Sequence, residues 1–550
     1  MKKINTFIVF IVAFSATLFS STLNAQTGNW ASVYTLLNSK CTGSCHTTAN
    51  ASGGLAFNAA AATVYTAIFN KNPQNTAALA AGNKLIYPGR PDRSFLFRKC
   101  NGTFEPNAMG LDASEGQSMP AYGSTQGALN DKQKELIRQW INYGAKSSGT
   151  QFDEQLITDY YDVNGKASFP NGPPPAPPAG EGFQLKMGPF LMAPGGEREL
   201  YEKMDLQLTA NVEVDRIENI MSPYSHHLIT YRYNTPAAAT AAATGFRTAA
   251  NYNNTTLVAA VQEATDLRLP QGAAFFWNAN TSLDMDSHYI NYSQTQTYMA
   301  EAYINVWTKP SGTAHQEMKT LLLPNLNIAI PADQNPHTFS QAYTANTGQV
   351  YMWGLMGHTH KYGTDYKVYQ RTSTGAKGPM VYDGQCPQGV PGCSAPYFDY
   401  KHIPLRYFLP QRPTLINSTA GFIHEATYIN TGTNAVYFGE TSSDEMMVLV
   451  AMYTLDTVGV VQGTGSSRPI LQNVRVYPNP ATNILQISLP ADATRANFTL
   501  YDVLGNKLYE TLLQEDNLLD LPRKSWANGV YFYHIKADDG REMSGKVLLE

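Results

Sequence analysis

No feature of this 550-residue chain constrains its folding more than SFPNGPPPAPPAGEG, Ser168 to Gly182. Proline has no backbone N–H and a fixed φ, so neither a helix nor a central strand passes through Pro173, Pro174, Pro175, Pro177 and Pro178. The segment reads as a stiff, polyproline-type spacer. A second break, VGVVQGTGSSRP from Val458 to Pro469, is rich in Gly and Ser and reads as flexible. At the start, MKKINTFIVFIVAFSATLFSSTLNAQ has a basic tip, an apolar stretch interrupted by Ser and Thr, and small residues ending at Ala25. That is the pattern of a cleaved secretory signal, shorter than the roughly 20 apolar residues of a membrane span. The expected order is therefore a signal peptide over 1–25, a first domain over 26–149, a linker over 150–182, a middle part over 183–457, a linker over 458–469 and a tail over 470–550.

Export sets the terms for everything downstream. Losing Lys2 and Lys3 with the signal takes the formal net charge from −4 to −6, which leaves no basic surface of the kind nucleic acid requires. No G-x-S-x-G, phosphate-cradling glycine loop or H-E-x-x-H occurs, so hydrolase and nucleotide readings are poor. The first domain carries helical patterns such as ALNDKQKELIRQWINYGA, with Asn130 or Asp131 as the cap and Gly144 as the stop. By contrast, the middle part has short runs of Val, Ile, Tyr, Thr and Phe, as in AYINVWT and QVYMWGLMG, separated by Gly, Pro and Asn. Its length exceeds one ordinary β-sandwich, so two consecutive ones are expected, over 183–330 and 331–457. The tail alternates apolar and polar residues at period two and reads as a small β-sandwich.

Five cysteines in an exported chain call for separate explanations: Cys41, Cys45, Cys100, Cys386 and Cys393. CPQGVPGC reads as one local loop closure between Cys386 and Cys393, and Cys100 reads as a buried free thiol. CTGSCHTT sets Cys41 and Cys45 before His46. A cysteine pair followed by histidine attaches c-type haem, although the usual spacing is two residues and here it is three. The same pair admits a small disulfide, with His46 a bystander. From Trp30 to Ala145, LIYPGRPDRSFLFRK, GQSMPAYG and IRQWINYGA resemble, in order, the later segments of small bacterial cytochrome c domains. The resemblance implies an all-α domain with one covalently attached c-type haem on Cys41, Cys45 and His46, with Met119 before Pro120 as the second axial ligand. Met109 is the competing thioether.

Histidine is scarce, 11 in the whole chain, yet His226 and His227 are adjacent in SPYSHHLITYRY. Neighbours on a regular strand point to opposite faces, so both reach one ligand only if the strand ends or bulges there. DMDSHYINYS adds His288, and LMGHTHKYG adds His358 and His360, whose i, i+2 spacing shares a strand face. GETSSDEMMVLVAMY places Met446, with Met447 beside it, after an acidic turn; thioether sulfur suits reduced copper better than zinc, calcium or magnesium.

In this order the motifs resemble those of the copper type II, ascorbate-dependent monooxygenases, the family of peptidylglycine α-hydroxylating monooxygenase and dopamine β-monooxygenase. The resemblance implies two jelly-roll-type sandwiches and two copper ions: one on His226, His227 and His288 that supplies an electron, and one on His358, His360 and Met446 that activates O2. It implies hydroxylation of a C–H bond in a small-molecule or peptide substrate, and Ala426 stands where the family commonly has cysteine. An external donor would feed the haem, and the haem the coppers. The other class of reading is a non-catalytic electron-transfer or copper-binding surface protein. The tail, from VYPNPATNILQISLP to SGKVLLE, resembles the sorting domain of type IX secretion substrates, which implies secretion or cell-surface attachment through that machinery.

Overall fold

The computed structural model describes residues 28–550 except 103, 105–109, 121–125, 223, 262–264, 346–347, 386–397, 401–405, 408–412, 440–442, 462–473, 483, 490–494, 504, 515, 522–525 and 539–541. The signal peptide, Met109 and the Cys386–Cys393 loop lie outside the described residues. The chain divides into two compact units between Val163 and Asn164.

The first unit is helical. Its longest helices, Asn29–Cys41 and Asp131–Asn142, each bury an aromatic, and Trp30 stacks on Trp140 with ring centroids 5.0 Å apart. Asn130 caps the second helix: its side chain accepts from Gln133 N at 3.0 Å, and the Gln133 side chain accepts from Asn130 N at 3.0 Å. Gly144, at φ +87°, ends the run as expected.

The second unit is built from β-sheets. One seven-stranded sheet runs in the order Gly165–Ala167, Thr297–Pro310, Val212–Ile220, Ala273–Trp277, Gln316–Glu317, with Gly182–Met192 and Thr265–Arg268 pairing onto its members. A four-stranded sheet, Glu197–Asp205, Ser282–Ile290, Ser225–Tyr233, Thr255–Val261, packs against it through Tyr289, which meets the rings of Phe190 and Tyr298. This is the first sandwich. In the second, Lys319–Pro324, Val448–Thr454 and Gln349–His358 face Pro336–Tyr343, Phe422–Ile429, Gly363–Arg371 and Lys377–Asp383, and Leu355, Leu449 and Ala451 share a core with Tyr366, Val368 and Tyr428. A small cluster of Tyr231, Leu257, Met356 and Val450 joins the two sandwiches. The tail has a three-stranded and a four-stranded sheet around Leu485, Ile487, Phe498, Leu500 and Ile535.

Three expected boundaries move. Residues 150–182 are no free spacer: Gln155–Asn164 is helical, Gly165–Ala167 joins a sheet, and the proline carbonyls accept hydrogen bonds, Pro174 O from Gln184 Nε2 at 3.1 Å and Pro175 O from Asn305 Nδ2 at 2.9 Å. Proline forfeits its donor but keeps its acceptor, and side-chain amides reach it. The sandwich boundary falls near Met318 rather than 330, because Lys319–Pro324 pairs with Val448–Thr454. The expected linker at 458–469 starts anchored, with Val461 N donating to Gln271 O at 2.8 Å.

Candidate metal centre

The strand Ser225–Tyr233 resolves the paired histidines. Against Ser282–Ile290, Ser225 pairs with Tyr289 but His227 pairs with His288, so His226 is the extra residue of a β-bulge. The bulge turns both rings to one side. One ring nitrogen from each of His226, His227 and His288 lies within 4.8 Å of the other two, and all three residues are buried. From the second sandwich, His358 ends the strand Gln349–His358 and His360 follows in the next turn. Both join the same cluster: His358 lies 5.7 Å from His227 and 6.3 Å from His226 by ring centroids, and His360 lies 6.4 Å from His226. The two expected ligand sets thus form one continuous group of five imidazoles. Tyr400 stands at its edge, 6.4 Å from His226.

The second ring nitrogens are held from outside. His227 Nε2 meets Glu199 at 3.1 Å, His288 Nε2 meets Glu197 at 2.7 Å, and His360 Nδ1 meets the Asp444 carbonyl at 3.1 Å. Glu197 and Glu199 alternate on the strand Glu197–Asp205, which pairs with Ser282–Ile290 and sets Glu199 opposite His288. The other nitrogens, His227 Nδ1, His288 Nδ1 and His360 Nε2, are buried without a hydrogen-bond partner. An imidazole anchored through one nitrogen with the other buried and unsatisfied is an arrangement that a metal ion completes. Burial holds His227, His358 and His360 below the ordinary imidazole range, with the neighbouring histidines adding to the effect. They are therefore neutral, the form that ligates. Asp286 lies 3.8 Å from His227 Nε2, and burial followed by repulsion from Glu199 pushes it well above the carboxylate range. Sequence reasoning missed these three acids, although the Glu-x-Glu alternation at 197 and 199 was the visible signal.

Glu445 organises the second half. Its carboxylate accepts from His360 N at 2.9 Å, Tyr362 N at 2.6 Å and Met446 N at 3.3 Å, while burial pushes its pKa up to about 7. Met446 is half-buried on this same turn, its carbonyl held by Tyr428 at 2.6 Å; Met447 is instead fully buried in the sandwich core. The turn that carries Met446 thus lies against His360. Each buried N–H left without its acceptor costs about 1–3 kcal/mol. Glu445→Ala is expected to lower the melting temperature and to weaken the binding of an added metal ion at the cluster in a chelator competition by about 10- to 100-fold; unchanged binding would assign Glu445 to stability alone. Among the remaining histidines, His424 is buried against Tyr366 at 2.5 Å, His337 pairs with Asp333 at the surface, His534 lies 3.4 Å from Glu542, and His402 lies outside the described residues.

In the helical unit, Cys41, Cys45, His46 and Met119 line one cavity of about 440 Å³, with Leu55, Phe57, Leu85, Phe95 and Leu96 as apolar walls. His46 Nδ1 meets the Leu55 carbonyl at 3.2 Å, which orients the ring. Met119 N donates to Lys99 O at 2.7 Å. An apolar slot carrying a histidine, a thioether and thiols at its rim fits a haem. Cys100, left without a partner by the sequence, also lines this cavity, near enough to Cys41 for each thiol to shift the other's titration.

Residues 475–550 match the family model of the secretion system C-terminal sorting domain. The chain is therefore exported, and secreted or attached at the cell surface, with the secretion machinery as a partner. No curated protein matches the sequence. Among solved structures, the chain is similar to Ruminococcus gnavus β-glucuronidase in complex with uronic isofagomine, at 11% identity and TM-score 0.17, over 39% of this chain and 34% of that one. It is also similar to the β-D-glucuronidase of Dictyoglomus thermophilum, at 11% identity and TM-score 0.19, over 44% of each chain. The chain spans less than half the length of these glycosidases, and likeness at such TM-scores assigns neither fold nor activity.

Proposed function

We propose that this protein is an exported copper-dependent monooxygenase that hydroxylates a C–H bond of an organic substrate with O2, taking electrons through a haem held in its helical unit. The observation that carries the reading is the five-histidine cluster, with three buried ring nitrogens lacking partners and their opposite nitrogens anchored. Copper held there supplies one-electron redox chemistry and O2 activation. His226, His227 and His288 would hold one ion, and His358, His360 and Met446 the other. Glu197, Glu199 and the Asp444 carbonyl aim the imidazoles inward, burial keeps His227, His358 and His360 neutral, and the sandwich cores exclude water.

Hydroxylation takes two electrons, and each metal site cycles one. The cavity lined by Cys45, His46 and Met119 would hold the haem that refills the cluster, and one covalent chain keeps donor and acceptor at high effective concentration. Elemental analysis of the mature exported protein is expected to return two coppers, and a pyridine haemochrome spectrum one c-type haem per chain. With a reductant, O2 consumption should then depend on an added organic substrate. Two coppers without substrate-dependent O2 uptake across a broad screen would favour the electron-transfer reading; no copper after reconstitution would overturn the proposal.

A further inference from the structure

We infer that Cys41 and Cys100 form a disulfide that closes one wall of the helical unit's cavity, leaving Cys45 as the single cysteine available for covalent haem attachment. The consequence for haem rests on the reading of the cavity given above; the disulfide does not. Cys41 is the last residue of the helix Asn29–Cys41, and Cys100 is buried in the helix Phe95–Asn101. Both line the same cavity, and the two thiols lie close enough for each to shift the other's titration. Cys45 also lines the cavity but is exposed, on the turn after Cys41, beside Ser44 Oγ at 3.7 Å, with its N–H on Thr42 O at 3.0 Å. The three-residue spacing between Cys41 and Cys45, one longer than a two-thioether motif, accompanies this divergence.

The chemistry suits the compartment. The chain is exported, and exported thiols in contact oxidise. The neighbouring Cys100 holds the Cys41 thiol low against the opposing effect of burial, while Cys41 and burial drive Cys100 up, so Cys41 is the thiolate that attacks. Two S–H bonds break and one S–S bond forms; the two electrons and two protons pass to the disulfide of an exchange partner, which leaves as a dithiol. Cys45 keeps its S–H, which adds across one porphyrin vinyl group with no electrons exchanged. The bridge also has a positioning role. Lys99, next to Cys100, holds Met119 through its carbonyl, so the disulfide ties the turn bearing His46 to the helix that fixes the opposing thioether.

The test uses the full exported chain and its Cys41→Ala, Cys45→Ala and Cys100→Ala variants. Peptide mapping of the wild type without reduction should join Cys41 to Cys100. Covalent haem should survive in Cys41→Ala and Cys100→Ala and vanish in Cys45→Ala, with the wild-type haemochrome band between the positions for unattached and doubly attached haem. A Cys100 that alkylates freely in unreduced, unfolded protein, or a doubly attached band, overturns the inference. A Cys41–Cys100 bridge in protein without haem supports the disulfide and removes the haem reading instead.

Discussion

Replacing His360 with alanine is expected to remove about one copper per chain and to lower O2-dependent turnover by at least about 100-fold. The ring is fixed twice, through Nδ1 on the Asp444 carbonyl and through its backbone N–H on Glu445, so its Nε2 has one direction open to it. That atom is buried and has no hydrogen-bond partner. A truncation here deletes a ligand and leaves the anchoring turn in place, which separates loss of metal from loss of fold. The control is His337→Ala, a surface histidine paired with Asp333, which should keep both coppers and full turnover. Equal copper in the two variants would take His360 out of the ligand set.

Through His424 alone, acid is expected to destabilise the second sandwich by up to about 5 kcal/mol, on top of what the buried histidines of the cluster contribute. His424 is fully buried on the strand Phe422–Ile429, with Nδ1 on the Tyr366 hydroxyl, and burial lowers its pKa to about 3. In the unfolded chain the same imidazole takes a proton near 6.5. Between these values the unfolded state binds the extra proton, so stability falls as pH drops through about 6.5 towards 3 and is unaffected by this group above that window. Urea midpoints at pH 7 and pH 4.5 measure the loss. His424→Gln, which can still meet Tyr366, should lose less between the two pH values than the wild type; an equal loss would place the acid sensitivity elsewhere.

The sequence showed the clustered histidines more clearly than their supports. Adjacent histidines demanded a bulge, and the register shift between Ser225 and His227 supplies it. Asn130 and Gly144 bounded a helix because capping and left-handed φ are local chemistry. Glu197, Glu199 and Asp286 were passed over because acids on strands usually face water, and only the pairing of Glu197–Asp205 with Ser282–Ile290 brings them beside the histidines. The proline segment misled for a related reason: its missing donors were visible, whereas the amides of Gln184 and Asn305 that reach its carbonyls come from strands far along the chain. Cys100 had no partner in the sequence because 59 residues separate it from Cys41, and only the meeting of two helices brings them together.

The five imidazoles are drawn from both sandwiches, across 134 residues from His226 to His360, and neither sandwich alone retains the cluster. This has a consequence for ancestry. A recombination that exchanged one sandwich would discard part of the cluster and break the small core that Tyr231, Leu257, Met356 and Val450 share. The seam between Val163 and Asn164 carries no such penalty, and neither does the stretch before the sorting tail. All five imidazoles lie within this pair of sandwiches, so what precedes and follows the pair can change without removing any of them.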